Sequence, residues 1–191
     1  MSAVGYALFD TAVGRCGIAW SASGIAGVQL PERSGGATRA RLRLRYPKAT
    51  EAMPPGQISQ VIDDIAGLLR GETRDLSAAV LDLEGVPPFH QNVYRVARTI
   101  PPGATLSYGD IAAQIGDRGA AREVGEAMGR NPFPIIVPCH RVLAAGGKVG
   151  GFSAAGGVTT KLRLLEIEGA QVGEAPTLFD SLPLRARPRR R

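Results

Sequence analysis

The chain is 191 residues long and 44% apolar, enough for one ordinary domain or two small ones with a buried core. No apolar run is long enough to cross a bilayer, and the opening Met-Ser-Ala-Val-Gly-Tyr lacks the basic region and apolar block of a secretory signal, so a cytoplasmic protein is expected. The formal charge of +6 is concentrated between Arg185 and Arg191, where five arginines leave only +1 for residues 1–184; the end reads as a solvated, disordered basic tail, and global charge gives no argument for nucleic-acid binding.

Three short segments, 6–9, 14–20 and 24–30, are bounded by Gly, Asp or Ser and predict an antiparallel meander. Arg39, Arg41, Arg43 and Arg45 then alternate with Ala40, Leu42 and Leu44. The alternation favours a strand and the helix-forming residues a helix, so both stay open, with a solvated charged face preferred to a nucleic-acid patch. After Pro54-Pro55-Gly56, Ile58, Val61, Ile62, Ile65, Leu68 and Leu69 recur at helical spacing until Arg70-Gly71. Residues 80–83 suggest one more strand, and Gly85-Val86-Pro87-Pro88 a linker. The expected division is an N-terminal α/β domain over 1–84, a mostly helical domain over 85–175, and a tail over 176–191.

In the second half Phe89, Val93, Val96, Ala97 and Ile100 form a helical stripe started by Pro88 and stopped by Pro101-Pro102-Gly103. Ser107 with Asp110 predicts a capped helix through Ile115, Gly116-Asp117-Arg118-Gly119 a turn, and residues 120–129 a second helix. Two short helices about a tight turn are the pattern of a helix-turn-helix. The second helix is not basic, since Glu123 and Glu126 accompany Arg122, but Ala121, Gly125 and Gly129 would let its backbone approach a groove. A last helix is expected over 158–168, with Leu162, Leu165 and Ile167 partly inward and Gly169 as its cap.

The chemistry concentrates between Asn131 and Ser153. Pro134 and Pro138 bracket a short apolar run that delivers Cys139 and His140 to its end, and Gly146-Gly147 and Gly150-Gly151 mark tight turns beyond it. A thiol beside an imidazole is a nucleophile beside a base. Neighbours on an extended segment point to opposite sides, so a bridging water is expected between them. The orienting acid would be Glu168 or Glu166, only one of which turns inward. Cys16 has no such company and reads as an inert core thiol. With two cysteines, two histidines and no C-x-x-C pair, neither a metal site nor a cofactor is expected.

Pro138-Cys139-His140-Arg141-Val142, preceded by Arg130-Asn131-Pro132 and followed by Gly150-Gly151-Phe152-Ser153, resembles the active-site signature of the O6-alkylguanine-DNA alkyltransferases, or methylated-DNA-protein-cysteine methyltransferases. The resemblance runs from about Pro88 to Gly169 and includes Ser107-Tyr108-Gly109, Ala120-Ala121-Arg122 and the Leu164-Leu165 to Glu168-Gly169 ending. It implies a ribonuclease-H-like α/β domain followed by a winged-helix-like helix-turn-helix domain, in a monomer that repairs double-stranded DNA without a cofactor. The damaged guanine would be flipped out and its O6-alkyl group moved irreversibly to Cys139. By position, His140 would act as a water-mediated base, Glu168 would orient it, and Asn131 would brace the turn. Tyr108 would rotate the nucleotide's phosphate and protonate the leaving guanine. Arg122 would fill the gap in the base stack, Ala121 and Gly125 would lie along the groove, and Val142, Phe152 and Ser153 would meet the substrate. Phe152 stands where the family often has tyrosine, Ala154 where glycine is common, and His90 where glutamine is frequent. The rival readings are a non-catalytic relative that only binds alkylated bases, and a cysteine hydrolase using His90 as a remote base.

Overall fold

The structure, a computed structural model, describes residues 3–170; the expected basic tail lies outside them. Strands β1 (Gly5–Thr11), β2 (Gly14–Ser21) and β3 (Gly24–Gln29) form the expected antiparallel meander, and β4 (Thr50–Glu51) adds a parallel edge to β1, giving the order β3-β2-β1-β4. Alternation along the strands sends Ala7, Phe9, Cys16, Ile18 and Trp20 to one face and Tyr6 and Ala19 to the other. Helix α2 (Gly56–Leu68) covers the first face through Ile58, Ile65 and Leu68.

The arginine-rich segment is helix α1 (Gly35–Arg45), which covers the second face. Its start is fixed by Ser34, whose hydroxyl accepts from the Ala37 N–H at 3.2 Å. Only Thr38 and Leu42 turn inward, four apart, while Leu44 stays 75% exposed. A strand would have put Leu42 and Leu44 on one face, so the period-2 pattern was coincidental. The close seating of α1 needs Gly17, because a Cβ there would collide with the Leu42 side chain. The strand expected over 80–83 reduces to a single parallel bridge, Ile25 to Leu81, held by two backbone hydrogen bonds.

The second half holds α3 (Pro88–Ala97), α4 (Tyr108–Gln114), α5 (Ala121–Gly129) and α6 (Val158–Ile167), with a short parallel pair, β5 (Leu106–Ser107) and β6 (Val142–Leu143), beside α4. Pro88 opens α3, whose Val93, Val96 and Ala97 are buried. Tyr94 ties α3 to α5 by donating its hydroxyl to the Ala127 carbonyl at 3.0 Å. The capping box at α4 is complete: the Asp110 N–H donates to the Ser107 hydroxyl at 3.0 Å, and the Ser107 N–H to the Asp110 carboxylate at 2.7 Å. Ser107→Ala is expected to lower stability by about 1 kcal/mol, read as a shift in urea midpoint without a change in slope.

One buried apolar cluster runs from Phe9 and Ile18 through Ile65 and Leu68 to Val93, Val124 and Cys139, so the sheet half and the helical half share a core. Among the described residues no helix is long and apolar enough to cross a membrane, and no group of His, Cys, Asp and Glu could hold a metal ion.

Candidate active site

The segment after α5 is a knot of backbone held by one side chain. Asn131 donates its amide to the Val137 carbonyl at 2.8 Å and accepts the Phe133 N–H at 2.9 Å, closing the turn on itself. Inside it Ile135, only 2% exposed, adopts φ +75°, a left-handed conformation that strains a β-branched residue by about 1–3 kcal/mol. Burial and the Asn131 clamp hold it there.

The chain then turns through Cys139–Arg141 as one 3₁₀ turn, with the Arg141 N–H on the Pro138 carbonyl at 2.9 Å. An extended segment was expected. The turn separates the directions of Cys139 and His140 and lets three successive side chains do different things. Cys139 is 8% exposed and lines a cavity of about 450 Å³ together with Asn131, Phe152, Ser153 and Ala154. Burial pushes its thiol up, opposed by hydrogen bonding from Asn131 and by the Lys161 charge.

Behind the thiol, His140 is fully buried, and its Nε2 lies 3.0 Å from Glu168 Oε1. Arg141 donates to both oxygens of the same carboxylate, each at 2.8 Å, and its remaining nitrogen to the Ile100 carbonyl. Burial alone would raise the Glu168 carboxyl, but the hydrogen bonds from His140 and Arg141 outweigh it and hold it down at about 2. Burial drives the His140 pKa below its ordinary value, against the pull of Glu168. His140 is therefore neutral at pH 7 beside an ionised carboxylate. The Nε2–H must donate, which leaves Nδ1 with a free lone pair. Nδ1 is buried and has no hydrogen-bond partner among the described residues. Of the two candidate acids, Glu168 turns in with its side chain 3% exposed, while Glu166 stays exposed.

Sequence reasoning missed three contributors. Arg141 was read only as a neighbour of His140, yet it balances Glu168. Lys161 is wholly buried and donates its ammonium to the Val142 carbonyl at 2.6 Å. In helix α6 Leu165 is buried as expected, but Lys161 and Leu164 are buried with it, while Leu162 is 44% exposed. The third is α1, whose Arg41, Leu44 and Arg45 line the Cys139 cavity from the far side. Arg141 and the arginines of α1 stand out in the sequence, but their partners and the burial of Lys161 do not, because each is defined by a distant neighbour.

Tyr108 is half-buried against Gly150, where a Cβ would come within 3.2 Å of its hydroxyl. Burial raises its pKa, so it keeps its proton at pH 7. Val142 is fully buried, pairs with Leu106, and its carbonyl is taken by the Lys161 ammonium, so it supports the Cys139 turn from behind and is not among the residues lining the cavity. Arg122 is exposed on α5, away from the cavity wall, and Ala121 is half-buried beside it. Gly125 and Gly129 are small for no internal reason, since a Cβ would meet nothing within 4 Å at Gly129 and nothing nearer than 3.9 Å at Gly125. Glu126 is taken up by Arg130 at 2.6 Å. His90 packs between Phe89 and Tyr94 and is not among the residues that line the Cys139 cavity, which removes the support for a His90-based hydrolase. Cys16 is wholly buried and its thiol is pushed up to about 12 by burial, as suits an inert core residue.

Residues 88–170 match the family described as 6-O-methylguanine DNA methyltransferase, DNA binding domain. The methylated-DNA–protein-cysteine methyltransferase of Mycobacterium bovis is 46% identical over 135 residues, 70% of this chain and 79% of that protein. The enzyme of the same name from Methanothermobacter thermautotrophicus is 40% identical over 124 residues, 65% of this chain and 68% of its own length. Among solved structures, the O6-methylguanine methyltransferase of Mycobacterium tuberculosis superposes with a TM-score of 0.69 at 38% identity, covering 92% of this chain and 99% of that one. The M. tuberculosis protein solved in complex with DNA gives 0.70 at 37% identity, over 90% and 96%. With its Pro-Cys-His-Arg turn at the base of a cavity, this chain belongs to the methylated-DNA–protein-cysteine methyltransferase family.

Proposed function

We propose that the protein repairs O6-alkylguanine in double-stranded DNA by moving the alkyl group to Cys139, once and irreversibly. The observation that carries this reading is the buried relay next in sequence to a cysteine that lines an open cavity: a neutral His140, oriented by an ionised Glu168, whose Nδ1 has no hydrogen-bond partner among the described residues. His140 takes the thiol proton by way of a bridging water. The thiolate sulfur attacks the alkyl carbon, the C–S bond forms as the C–O6 bond breaks, and the electron pair passes to guanine. Tyr108, protonated at pH 7, gives guanine a proton, and the proton taken from the thiol replaces it. The net exchange is alkyl for hydrogen on sulfur. A thioether has no leaving group that water can displace at neutral pH, so the protein is consumed.

In this reading residues 1–84 form a ribonuclease-H-like α/β domain, supported by the meander with its parallel fourth strand and a helix on each face. Residues 85–175 form a winged-helix-like helix-turn-helix domain, and the protein works as a cytoplasmic monomer. Helix α5 enters the minor groove, where the missing side chains at Gly125 and Gly129 allow close approach. Asn131 keeps the turn rigid, and Ser153, with the neighbouring backbone and Phe152, receives the flipped base. Intact mass after incubation with a duplex holding one O6-methylguanine should show a single methyl on the peptide containing Cys139, saturating at one equivalent. Unmodified protein that still binds the lesion would sink the proposal in favour of a non-catalytic reader.

Arg122 fills the vacated stack. Since unstacking a base costs on the order of a few kcal/mol, Arg122→Ala should slow transfer from duplex DNA about tenfold or more. Reaction with free O6-methylguanine base should change little; equal losses on both substrates would remove the stack-filling role.

A further inference from the structure

We infer that the face of α1 carrying Arg41 and Arg45 is a second DNA-binding surface, which takes backbone phosphates of the strand that delivers its base to the Cys139 cavity. The inference rests on the function proposed above. Its starting point is an electrostatic shortfall. Over Ala121–Gly129, helix α5 sets Arg122 against Glu123 and Glu126, so the helix assigned to the groove brings no net attraction for a polyanion. Helix α1 carries Arg39, Arg41, Arg43 and Arg45 and no acidic residue.

Its position is fixed by the chain's own packing. Tyr46, the residue ending α1, donates to the Ala26 carbonyl at 2.8 Å, and the Val28 N–H donates to the Pro132 carbonyl at 2.9 Å. The end of α1, strand β3 and the turn after α5 are thereby fastened together. Arg41 and Arg45 line the same cavity as Cys139, and Arg130 at the end of α5 lines it too. The acid among the lining residues, Glu32, is occupied by the Gln29 amide at 3.1 Å.

Fold stability does not explain Arg41, and explains Arg45 only in part. Thr38 and Leu42 supply the buried contacts of α1, and Arg39 holds Glu51 at 2.9 Å. Arg41 and Arg45 are exposed and, among the described residues, pair with no carboxylate; Arg45 lies over the Tyr46 ring at 5.5 Å. The macrodipole favours cations in the last turn, which accounts for Arg43 and Arg45 but not for Arg41. Like charges four apart on one helix repel, so the pair is unfavourable until an anion binds between them. Guanidinium forks suit phosphate oxygens, and a base turned into the cavity brings its own flanking phosphates to the rim.

The test is titration of fluorescent duplex holding one O6-methylguanine, over a range of salt, with wild type, Arg41→Ala/Arg45→Ala, Arg41→Lys/Arg45→Lys, and Arg39→Ala/Arg43→Ala on the other side of the helix. Releasing two phosphate contacts should make the slope of log affinity against log salt shallower by about 1.8. The lysine pair should restore most of that slope, and the Arg39/Arg43 pair should leave it near wild type. An unchanged slope in the Arg41/Arg45 alanine pair overturns the inference. So does an equal loss in the Arg39/Arg43 pair, which would reflect overall charge. Failure of the underlying reading looks different: wild-type protein would bind duplex with a normal slope and never acquire a methyl group on Cys139.

Discussion

Cys139→Ser is expected to reduce methyl uptake below detection while leaving lesion binding within about twofold of wild type. The chemistry depends on forming an anion in a site where burial already opposes one: the Cys139 thiol is pushed up even with Asn131 and Lys161 assisting. A serine hydroxyl starts several units higher still, beyond the reach of a neutral imidazole acting through water, and its oxygen is the weaker nucleophile toward saturated carbon. The side chain is nearly isosteric, so the turn clamped by Asn131 and the cavity lining should persist. The strained Ile135 is fixed by its own packing rather than by sulfur. Cys16 offers no alternative acceptor, being wholly buried with a thiol near 12. Intact mass after prolonged incubation with excess lesion duplex, beside anisotropy on the same duplex, separates the two effects. A methyl group found on the variant, at residue 139 or at Cys16, would overturn the assignment of the acceptor.

What could be read from the sequence was whatever is decided within a few residues. Pro88 at the start of α3, the Ser107 and Asp110 capping box and Gly169 after α6, with φ +70°, are each satisfied by their own neighbours, and all were legible. The arginine-rich segment was not, because period 2 and helix propensity conflict there. The conflict is settled by Leu42 finding Gly17 across the sheet, a contact of long range in sequence. Helix α6 was misread at one position for a similar reason: Leu165 is inward as expected, and Leu162 is not. Lys161 reads as a solvent residue and Leu162 as a core one until the Val142 carbonyl is placed next to the lysine. At the site, the adjacency of Cys139 and His140 and the two candidate acids, Glu168 and Glu166, were visible. The salt-bridged Arg141 and the α1 wall of the cavity were not, since they exist only once distant segments meet.

Glu168→Gln is expected to damage both stability and transfer, and the two losses should carry different signatures. The amide keeps an acceptor for the His140 Nε2–H but cannot balance Arg141, whose guanidinium would stay buried without a counter-charge. Breaking a buried pair from one side costs about 3–5 kcal/mol. For a domain of this size that is a fall in Tm on the order of 10 °C. The pH dependence identifies the cause. Glu168 titrates at about 2 in the folded chain against about 4.3 unfolded. Its contribution is therefore fully present above about pH 4.3 and lost as pH falls toward 2. His140, with a folded pKa below its ordinary value, takes up a proton in the unfolded chain first and begins to weaken the fold below about pH 6.5. Urea midpoints of wild type should accordingly drop in two stages on acidification. The glutamine variant, already less stable at pH 7, should keep the stage near 6.5 and show a smaller stage between about 4.3 and 2, where carboxylates such as Asp110, also held low, still titrate. Transfer should fall by on the order of 10²-fold or more at pH 7, because a mis-oriented His140 no longer holds its Nδ1 lone pair ready for the thiol proton that reaches it through water. Glu166→Gln, on the exposed side of α6, serves as the control and should change neither property. A Glu168→Gln variant with the wild-type acid profile would show that the ion pair does not couple to folding; one that unfolds more easily but transfers methyl at the wild-type rate would remove Glu168 from the chemistry.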